Sequence, residues 1–340
     1  MSELVRIAMD AMGGDNAPKE PVKAAVESLK MTDRAFIFLV GQEEIIKKEL
    51  SAYSYDASRI QIVPASEIIE MAEHPVNAIR KKKDSSLVIA QRMIRSGEAD
   101  AFISAGSTGA VLAGGQLLVG RLPGVERAPL APLIPTLKGV SLLLDCGANV
   151  DARASHLVQF AKMGSLYMRD VMHVENPTVG LLNIGVEEEK GNALSKETYP
   201  LLKACEDIHF IGNVEAREVP HGAADVIVTE AFAGNVALKL YEGTGSAFVS
   251  MIKGAMMKDL KSKLGALLVK KSLKETLKTL DATAYGGAPM LGLNGLIVKA
   301  HGNASYKELS NAVLQCVSFT DADLTEKIKK SISPDTSREE

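Results

Sequence analysis

Residues 5–18 read VRIAMDAMGGDNAP and hold a strand, a tight turn and a helix start in immediate succession. The aliphatic run Val5–Met9 is typical of a buried strand. The two glycines that follow let the backbone turn sharply and approach a ligand closely. Pro18 suits the first turn of a helix, and Asp15 or Asn16 is placed to cap that helix. This order indicates the first unit of an α/β fold.

The same order recurs along the chain. Short apolar runs bounded by Gly, Asp, Asn or Pro alternate with stretches of helical periodicity. The runs predicted as strands are Val5–Met9, Phe36–Val40, Ile60–Val63, Ala101–Ile103, Ser141–Leu144, Val179–Ile184, Phe210–Ile211 and Val226–Val228. We therefore predict an α/β fold with a largely parallel sheet and helices on both faces, formed by residues 1–340 as a single domain.

Glycine-rich polar turns stand at the ends of several of these runs. They are Asp10–Asp15, Ser104–Gly109, Asp145–Asn149 and Gly234-Asn235. Backbone N–H groups in such turns can face an anion, because glycine has no Cβ and tolerates a positive φ. Open α/β sheets bind ligands where their parallel strands end. The turns therefore predict an anion site, with phosphate as the favoured ligand.

Side chains around the first two turns supply candidate phosphate ligands. The basic run 80–83 precedes Ser85 and Ser86, and cations beside a helix N-terminus add full charges to its unpaired N–H groups. Charge runs usually form solvated surface, so we expect only one or two of these cations to take part. The candidates here are Asp10, Gly13, Gly14, Lys82, Lys83, Ser85, Ser86, Ser104, Gly106, Ser107, Thr108 and Gly109.

The turn Asn183–Asn192 leaves another predicted strand with an amide, three acids, a lysine and glycines. Lys190 and Asn192 can contact phosphate. Glu187–Glu189 are expected to start a helix, where acids suit the positive end of the dipole. Farther on, the nearly uncharged loop Tyr285–Gly295 fits an apolar ligand tail or a plain structural role equally well.

Composition excludes several other classes. The net charge of −3 and the pI near 6.1 give no support for nucleic-acid binding, which needs a basic domain or stripe. The three cysteines are far apart and show no CxxC spacing, which suits a reducing compartment and opposes a disulfide framework or a zinc site. The start of the chain lacks the pattern of a signal peptide, and no apolar stretch is long enough to span a membrane. We therefore expect a cytoplasmic protein.

The segment at about 241–280 departs from the alternation. Between residues 253 and 278, eight lysines are accompanied only by Asp259 and Glu275. Such a segment predicts one or two basic amphipathic helices, which could contact a membrane surface, an acidic protein or the rest of the fold. Its apolar positions near helical spacing are Met257, Leu260, Leu264 and Leu268.

Five motifs, in order along nearly the whole chain, resemble those of the bacterial phosphate acyltransferases of the PlsX family. They are DAMGGDNAP at 10–18, HPxxAIRxKKxSSL at 74–87, SAGSTGA at 104–110, GLLNIGxExxKGN at 180–192 and YGGAPxLGLNG at 285–295. The resemblance implies a Rossmann-like α/β/α sandwich related to phosphotransacetylases and isocitrate-dehydrogenase-like proteins. It also implies a homodimer at the inner face of the cell membrane that transfers a fatty acyl group from acyl carrier protein to inorganic phosphate for phospholipid synthesis.

The chain departs from that family in one motif. The usual Asp-Gly-Phe-x-Gly-Asn is replaced here by Glu230-Ala231-Phe-Ala-Gly-Asn235. Glutamate is one methylene longer than aspartate, and alanine does not tolerate a positive φ that glycine could adopt. The charge and the Gly-Asn pair are kept, so we expect activity to survive. Glu230 and the following Lys239 remain candidate phosphate ligands.

The implied reaction needs no metal or cofactor, because phosphate is already an anion and a thioester is already activated. It needs positioning and stabilisation of the oxyanion at the thioester carbon. We expect an amide such as Asn183 or Asn235, or a lysine, to supply this stabilisation, while Lys82, Lys83 and Lys190 hold phosphate. His74 or His301 is placed to protonate the departing thiolate, a step that is optional because the thiolate is weakly basic.

Two alternatives stay open at this point. A non-catalytic scaffold could bind acyl carrier protein and membrane through the lysine-rich segment. A dehydrogenase on a similar fold is disfavoured, because the first turn lacks the Gly-x-Gly-x-x-Gly dinucleotide fingerprint.

Overall fold

The computed structural model describes residues 3–279 and 282–333. The strands in this part of the chain form two sheets. They are β1 Val5–Asp10, β2 Ala35–Gly41, β3 Ile60–Pro64, β4 Ala101–Ser104, β5 Leu133–Thr136, β6 Gly139–Leu144, β7 Thr178–Asn183, β8 His209–Glu215, β9 Val226–Val228, β10 Ala288–Met290 and β11 Leu296–Lys299.

The first sheet has the order β10-β11-β4-β1-β2-β3, and the second has the order β5-β6-β9-β7-β8. Neighbouring strands are parallel except at two edges, where β10 pairs antiparallel with β11 and β5 pairs antiparallel with β6. The predicted α/β class with mainly parallel strands is confirmed. The strands are divided between two sheets, however, which the alternating pattern did not indicate.

Helices occupy most of the connections between strands. They are α1 Lys19–Met31, α2 Glu43–Leu50, α3 Pro75–Lys81, α4 Ser86–Ser96, α5 Thr108–Gly114, α6 Ala154–Asp170, α7 Ala193–Lys203, α8 Ala231–Met257, α9 Leu260–Thr279, α10 Tyr306–Asp321 and α11 Leu324–Ile332. None of the described helices is both long enough and apolar enough to span a membrane.

The alternation of side chains along each strand explains the layered arrangement. Ile7 and Met9 of β1 point into the main core, where they join α1 and α10. Ala8 points to the opposite face and joins a second cluster that includes Val88 of α4. Because both faces are covered by helices, the strand is apolar from Ile7 to Met9, and its charged residues Arg6 and Asp10 lie near its two ends. The main core also contains Leu144 of β6, so it extends across both sheets.

The start of α1 differs from the prediction. The helix begins at Lys19, and neither Asp15 nor Asn16 caps it. The backbone N–H of Asp15 instead donates to Gly302 O at 2.7 Å, and Asn16 Nδ2 donates to Asn303 O at 3.0 Å. These contacts to the loop after β11 are tertiary, so the local capping pattern could not show them.

The loop Tyr285–Gly295 contains a strand that the sequence pattern did not predict. Ala288–Met290 forms β10, and Met290, Leu291 and Leu293 are buried. These buried side chains offer no exposed apolar surface for a ligand tail. The structural interpretation of the loop is therefore the better one.

The lysine-rich segment forms α9 and the second half of α8, which pack against each other. Residue 280, at the end of the predicted segment, lies outside the described residues. The leucines predicted as an apolar stripe are not core residues, because Leu260 is 84% exposed and Leu268 is 81% exposed. Met257 and Leu264 are exposed as well. The alternative in which these apolar positions pack into the rest of the fold is therefore wrong.

Candidate active site

Asp10, the last residue of β1, connects the end of that strand to the start of α4 and to the end of β4. Its carboxylate accepts hydrogen bonds from Ser86 Oγ at 2.6 Å, Ser104 Oγ at 2.7 Å and the backbone N–H of Met12 at 3.2 Å. Asp10 is only 2% exposed, and this burial raises the pKa of its carboxyl group against the effect of the donors. The structure thus places Asp10, Ser86 and Ser104 as supports of the turns, with their polar atoms directed inward.

The glycines of the first two turns allow a close approach between them. A Cβ on Gly13 would lie 2.3 Å from Asp10 Oδ2 and 2.9 Å from the backbone N of Gly106. Gly14 has a φ of +99°, and a Cβ there would lie 2.8 Å from Ala105 Cβ. Side chains at these positions would separate the two turns. Glycine is therefore required for this packing as well as for any approach of a ligand.

The second sheet repeats this construction at Asp145, which follows β6. Its carboxylate accepts hydrogen bonds from Leu130 N at 3.0 Å, Ala148 N at 3.1 Å and both nitrogens of Asn149, at 2.8 and 2.7 Å. Asp145 is fully buried, and burial raises the pKa of its carboxyl group. Each sheet therefore has a buried aspartate that holds a glycine turn at a strand end.

Cys146 lies in this second turn but has the properties of an inert thiol. It is buried, burial raises the pKa of its Sγ–H well above the ordinary range, and Sγ lies 3.6 Å from Leu143 O.

Asn235 is fixed against the second turn by the start of α8. Its Nδ2 donates to Cys146 O at 3.0 Å. A Cβ on the preceding Gly234 would lie 1.9 Å from Asp145 O, so the helix and the turn are in direct backbone contact. Asn235 therefore has a well-defined position beside the strand ends.

The substitution of Glu230-Ala231 for the usual Asp-Gly fits the local backbone. Glu230 caps α8, and its carboxylate accepts from Phe232 N at 2.6 Å and Ala233 N at 2.9 Å. Ala231 is the first residue of the helix and does not have a positive φ. Glu230 and Ala231 are therefore compatible with the backbone at the start of α8.

Helix α8 connects the two turn regions. Asn235 contacts the Cys146 turn of the second sheet, whereas Glu242 Oε1 lies 3.5 Å from His301 Nε2, in the loop that follows β11 of the first sheet. Seven residues of helix span about 10 Å. The strand ends of both sheets therefore border one region of the molecular surface. Lys239 lies on this part of α8 and is exposed.

The loop after β7 is built around Asn183. Its Nδ2 donates to Lys190 O at 3.1 Å, and its Oδ1 accepts from Ile184 N at 2.9 Å. Asn192 caps α7, accepting from Ser195 N at 2.9 Å. The prediction that Glu187–Glu189 start a helix is wrong, because that helix begins only at Ala193. Lys190 is exposed at the end of this loop.

The basic run 80–83 is only partly available to a ligand. Lys82 Nζ pairs with the Glu73 carboxylate and donates to Ile68 O at 2.6 Å, whereas Lys83 is exposed. Ser85 caps α4 and accepts from Val88 N at 3.4 Å. Lys83 is therefore the better placed of the two predicted lysines to meet a phosphate.

His74 and the start of α5 lie close together. A Cβ on Gly109 would lie 2.5 Å from Pro75 Cγ, so the chain beside His74 packs directly on the turn that carries Ser107 and Thr108. His74 and Thr108 are exposed, and Ser107 is buried.

Lys299 was not assigned to the site from sequence. It ends β11, pairs in register with Ser104 and is only 7% exposed. Its Nζ donates to the carbonyl of Ala300. Burial lowers the pKa of Lys299 to about 8, and the carboxylates of Glu308, Asp10 and Asp15 oppose this decrease. The sequence signal that could have identified Lys299 is its position directly after the aliphatic run 296–298, at the end of a strand.

Comparison with known proteins places the chain in a family. The model described as "Fatty acid synthesis protein" matches residues 5–327. A phosphate acyltransferase from Clostridium botulinum (strain Alaska E43 / Type E3) is 49% identical over 327 residues, covering 96% of this chain and 98% of the relative. One from Desulfitobacterium hafniense (strain DSM 10664 / DCB-2) is 48% identical over 337 residues, covering 99% of this chain and 100% of the relative.

Solved structures agree on the fold. EutD phosphotransacetylase from Staphylococcus aureus is 19% identical with a TM-score of 0.60, and covers 94% of each chain. A phosphotransacetylase from Streptococcus pyogenes is 16% identical with a TM-score of 0.63, covering 95% of this chain and 94% of the other. The resemblance in the motifs is thereby confirmed: the chain is an acyltransferase and belongs to the PlsX family of phosphate acyltransferases.

Proposed function

We propose that the protein transfers a fatty acyl group from acyl carrier protein to inorganic phosphate, and that the acyl-phosphate enters phosphatidic acid and phospholipid synthesis. One observation carries this proposal. A buried aspartate in each sheet holds a glycine turn at the strand ends, and α8 brings both turn regions to one surface. This arrangement suits a reaction that joins an anion to a second substrate.

The first-sheet turns are the proposed phosphate site. The side chains of Asp10, Ser86 and Ser104 are committed to one another. The amides of Met12, Asp15 and Gly106 also donate within the fold, so the proposed ligand-facing groups are the remaining backbone amides and exposed side chains. Among the latter, Thr108 and Lys83 are exposed. Backbone amides in turns and a nearby cation together favour a phosphate oxygen.

The amides and the lysine at the second sheet are the proposed oxyanion donors. An amide nitrogen carries two hydrogens, and the described contacts use one each at Asn183 and Asn235. A single oxyanion donor is typically worth about 3–4 kcal/mol of transition-state stabilisation. Lys190, exposed on the same loop as Asn183, adds a full positive charge.

The chemical step has two parts. A phosphate oxygen attacks the thioester carbon, so a C–O bond forms and the carbonyl electron pair moves onto oxygen. The oxyanion then collapses, the C–S bond breaks, and the electron pair leaves with sulfur. The thiolate takes a proton from His74 or from solvent, and acyl-phosphate remains.

The decisive experiment supplies purified protein with an acyl carrier protein thioester, with and without inorganic phosphate. We expect thiol release only when phosphate is present, with acyl-phosphate as product and no effect of a metal chelator. Release of free fatty acid without phosphate would contradict the proposal. Binding of the carrier protein without turnover would favour the scaffold alternative.

The exposed helices α8 and α9 support two further parts of the proposal, a homodimer and peripheral contact with an anionic membrane. Phe232, Val236 and Leu240 stand four residues apart on α8, and all three are exposed. Such an apolar stripe is typical of a surface that a second subunit covers. The leucines of α9 combine with its lysines as in interfacial helices. The same lysines could also receive the acidic carrier protein.

A further inference from the structure

A cavity of about 380 Å³ lies between the segment 121–127 and the N-terminus of α6. Its charged and polar lining consists of Arg121, Glu126, Arg127, Arg153 and His156. The cavity is open to solvent, and its three arginines are exposed. None of these residues belongs to the motifs that define the candidate active site.

The arginines of this cavity are not neutralised by carboxylates. Elsewhere, Arg34 pairs with Asp321 at 2.7 Å. In the part of the chain that the structure describes, Arg121, Arg127 and Arg153 have no such partner. The guanidinium groups of Arg121 and Arg127 donate instead to the backbone carbonyl of Glu126.

The one carboxylate in the lining is already engaged. Glu126 Oε2 lies 3.1 Å from His156 Nε2 and accepts from Ser155 Oγ at 3.1 Å. His156 Nδ1 accepts from the backbone N–H of Arg153 at 3.0 Å, which leaves the ring proton on Nε2, facing Glu126. Burial lowers the pKa of His156, with Glu126 opposing, so the ring is neutral at pH 7. Three guanidinium groups against one carboxylate leave a net charge of +2 in the lining.

The cavity is close to the second turn. Ala128, next to Arg127, accepts a hydrogen bond through its carbonyl from Asn149 Nδ2 at 3.0 Å, and Asn149 in turn binds Asp145. Arg153 follows Asn149 by four residues, which is at most about 14 Å of extended chain. A ligand in the cavity could therefore extend to the turn that positions Asn235.

We propose that this arginine cavity binds the phosphodiester of the pantetheine arm on which the donor carries its acyl thioester. The inference rests on the proposed function, since it takes the donor to be acyl carrier protein. Guanidinium groups match the planar fork of phosphate oxygens and form strong charge-assisted hydrogen bonds with them. The phosphate would anchor the arm while the thioester at its other end reaches the oxyanion donors.

The test compares the affinities of 4′-phosphopantetheine, pantetheine and inorganic phosphate by calorimetric or NMR titration. The terminal phosphate of 4′-phosphopantetheine stands in for the phosphodiester of the arm. The native protein should bind the phosphorylated arm about tenfold more tightly than pantetheine, the effect of one charged hydrogen bond. The double variant Arg127→Gln/Arg153→Gln should lose that preference. A urea midpoint equal to that of the native protein shows that the variant is folded.

Arg169→Gln is the matched control. Arg169 lies at the other end of α6, about 24 Å from Arg153, and pairs with Asp170 at 2.9 Å. This variant should keep the full preference. Equal affinities in the native protein, or a preference that survives in the double variant, would overturn the proposal.

The titration with inorganic phosphate separates the two sources of phosphate. If inorganic phosphate binds as tightly as 4′-phosphopantetheine, and the double variant loses both affinities, the cavity is a site for free phosphate and the donor assignment is overturned. These are binding measurements, so they are independent of turnover. A native protein that shows the preference but forms no acyl-phosphate would refute the proposed function and leave the cavity assignment standing.

Discussion

Replacing Gly234 by alanine tests whether backbone contact between α8 and the second turn positions the site. The added Cβ would lie 1.9 Å from Asp145 O and 2.9 Å from Thr229 Cγ2. Real Cβ atoms essentially never approach closer than 3.0 Å, so the helix start or the turn must move by at least the difference, 1.1 Å. The nearest obstacle is a backbone oxygen and cannot rotate away.

The expected effect has two parts. Overpacking of this kind costs about 1–3 kcal/mol of unfolding free energy. A displacement of about 1 Å at a positioning residue can also cost about 100-fold in rate. Because Asn235 follows Gly234 directly, we expect both losses in Gly234→Ala, and the rate loss should appear in kcat at saturating substrates.

The same helix offers a matched control. Gly245 lies farther along α8, and a Cβ there meets nothing within 4 Å. Glycine inside a helix is less favourable than alanine by about 0.5–1 kcal/mol, so Gly245→Ala should stabilise the protein by up to that amount. Its activity should stay that of the native protein.

The assays are urea denaturation followed by circular dichroism and acyl-phosphate formation from an acyl carrier protein thioester. We expect the urea midpoint to fall for Gly234→Ala and to rise slightly for Gly245→Ala. If Gly234→Ala matches the native protein in both midpoint and kcat, the contact with Asp145 does not hold the site and the reasoning fails.

Three further predictions follow from the structure. Lys190→Ala should lower kcat/KM about 10- to 100-fold while leaving the urea midpoint within experimental error, because the side chain is exposed; an unchanged rate would remove it from the site. Lys299 has a folded-state pKa of about 8 against an ordinary value of 10.5, so the unfolded chain binds its proton more tightly. Its contribution to the free energy of unfolding should therefore rise by about 3 kcal/mol between pH 8 and pH 10.5. The urea midpoint of Lys299→Met should lack this rise. Replacing Leu260, Leu264 and Leu268 by serine should reduce binding to anionic vesicles while leaving carrier-protein turnover in solution intact; unchanged vesicle binding would assign the stripe to a subunit interface.

The strands that the sequence predicted have a local signal. Of the three strands that it missed, β11 also has one, because residues 296–298 form an aliphatic buried run, whereas β5 and β10 lack one. β1 and β2 are mainly apolar because both faces of the first sheet are covered. β5 and β10 are short, each contains a proline, and each lies at the edge of its sheet. Proline is tolerated at an edge because one side of the strand needs no donor. These two strands therefore depend on tertiary pairing that no local pattern contains.

The division into two sheets was beyond sequence reasoning for a related reason. Strand order depends on which β-strand each crossover returns to, and the chain pattern of β6, β7 and β9 looks like that of β1, β2 and β4. The N-terminus of α1 shows the same limit. Asn16 is an ordinary capping residue in sequence, yet it bonds to Asn303, which is 287 residues away.

Most residues of the motifs build the turns of the candidate site. Asp10 and Asp145 each take up the donors of a turn, and glycines such as Gly13 let those turns pack. A buried carboxylate would repel phosphate if it faced the ligand, but here hydrogen-bond donors surround Asp10 and compensate its charge. Under the proposed function, substrate contact falls to backbone N–H groups and to a few exposed side chains, of which Lys83 and Lys190 carry charge. Changes at the aspartates should accordingly alter stability and rate together, whereas changes at the exposed lysines should alter rate alone.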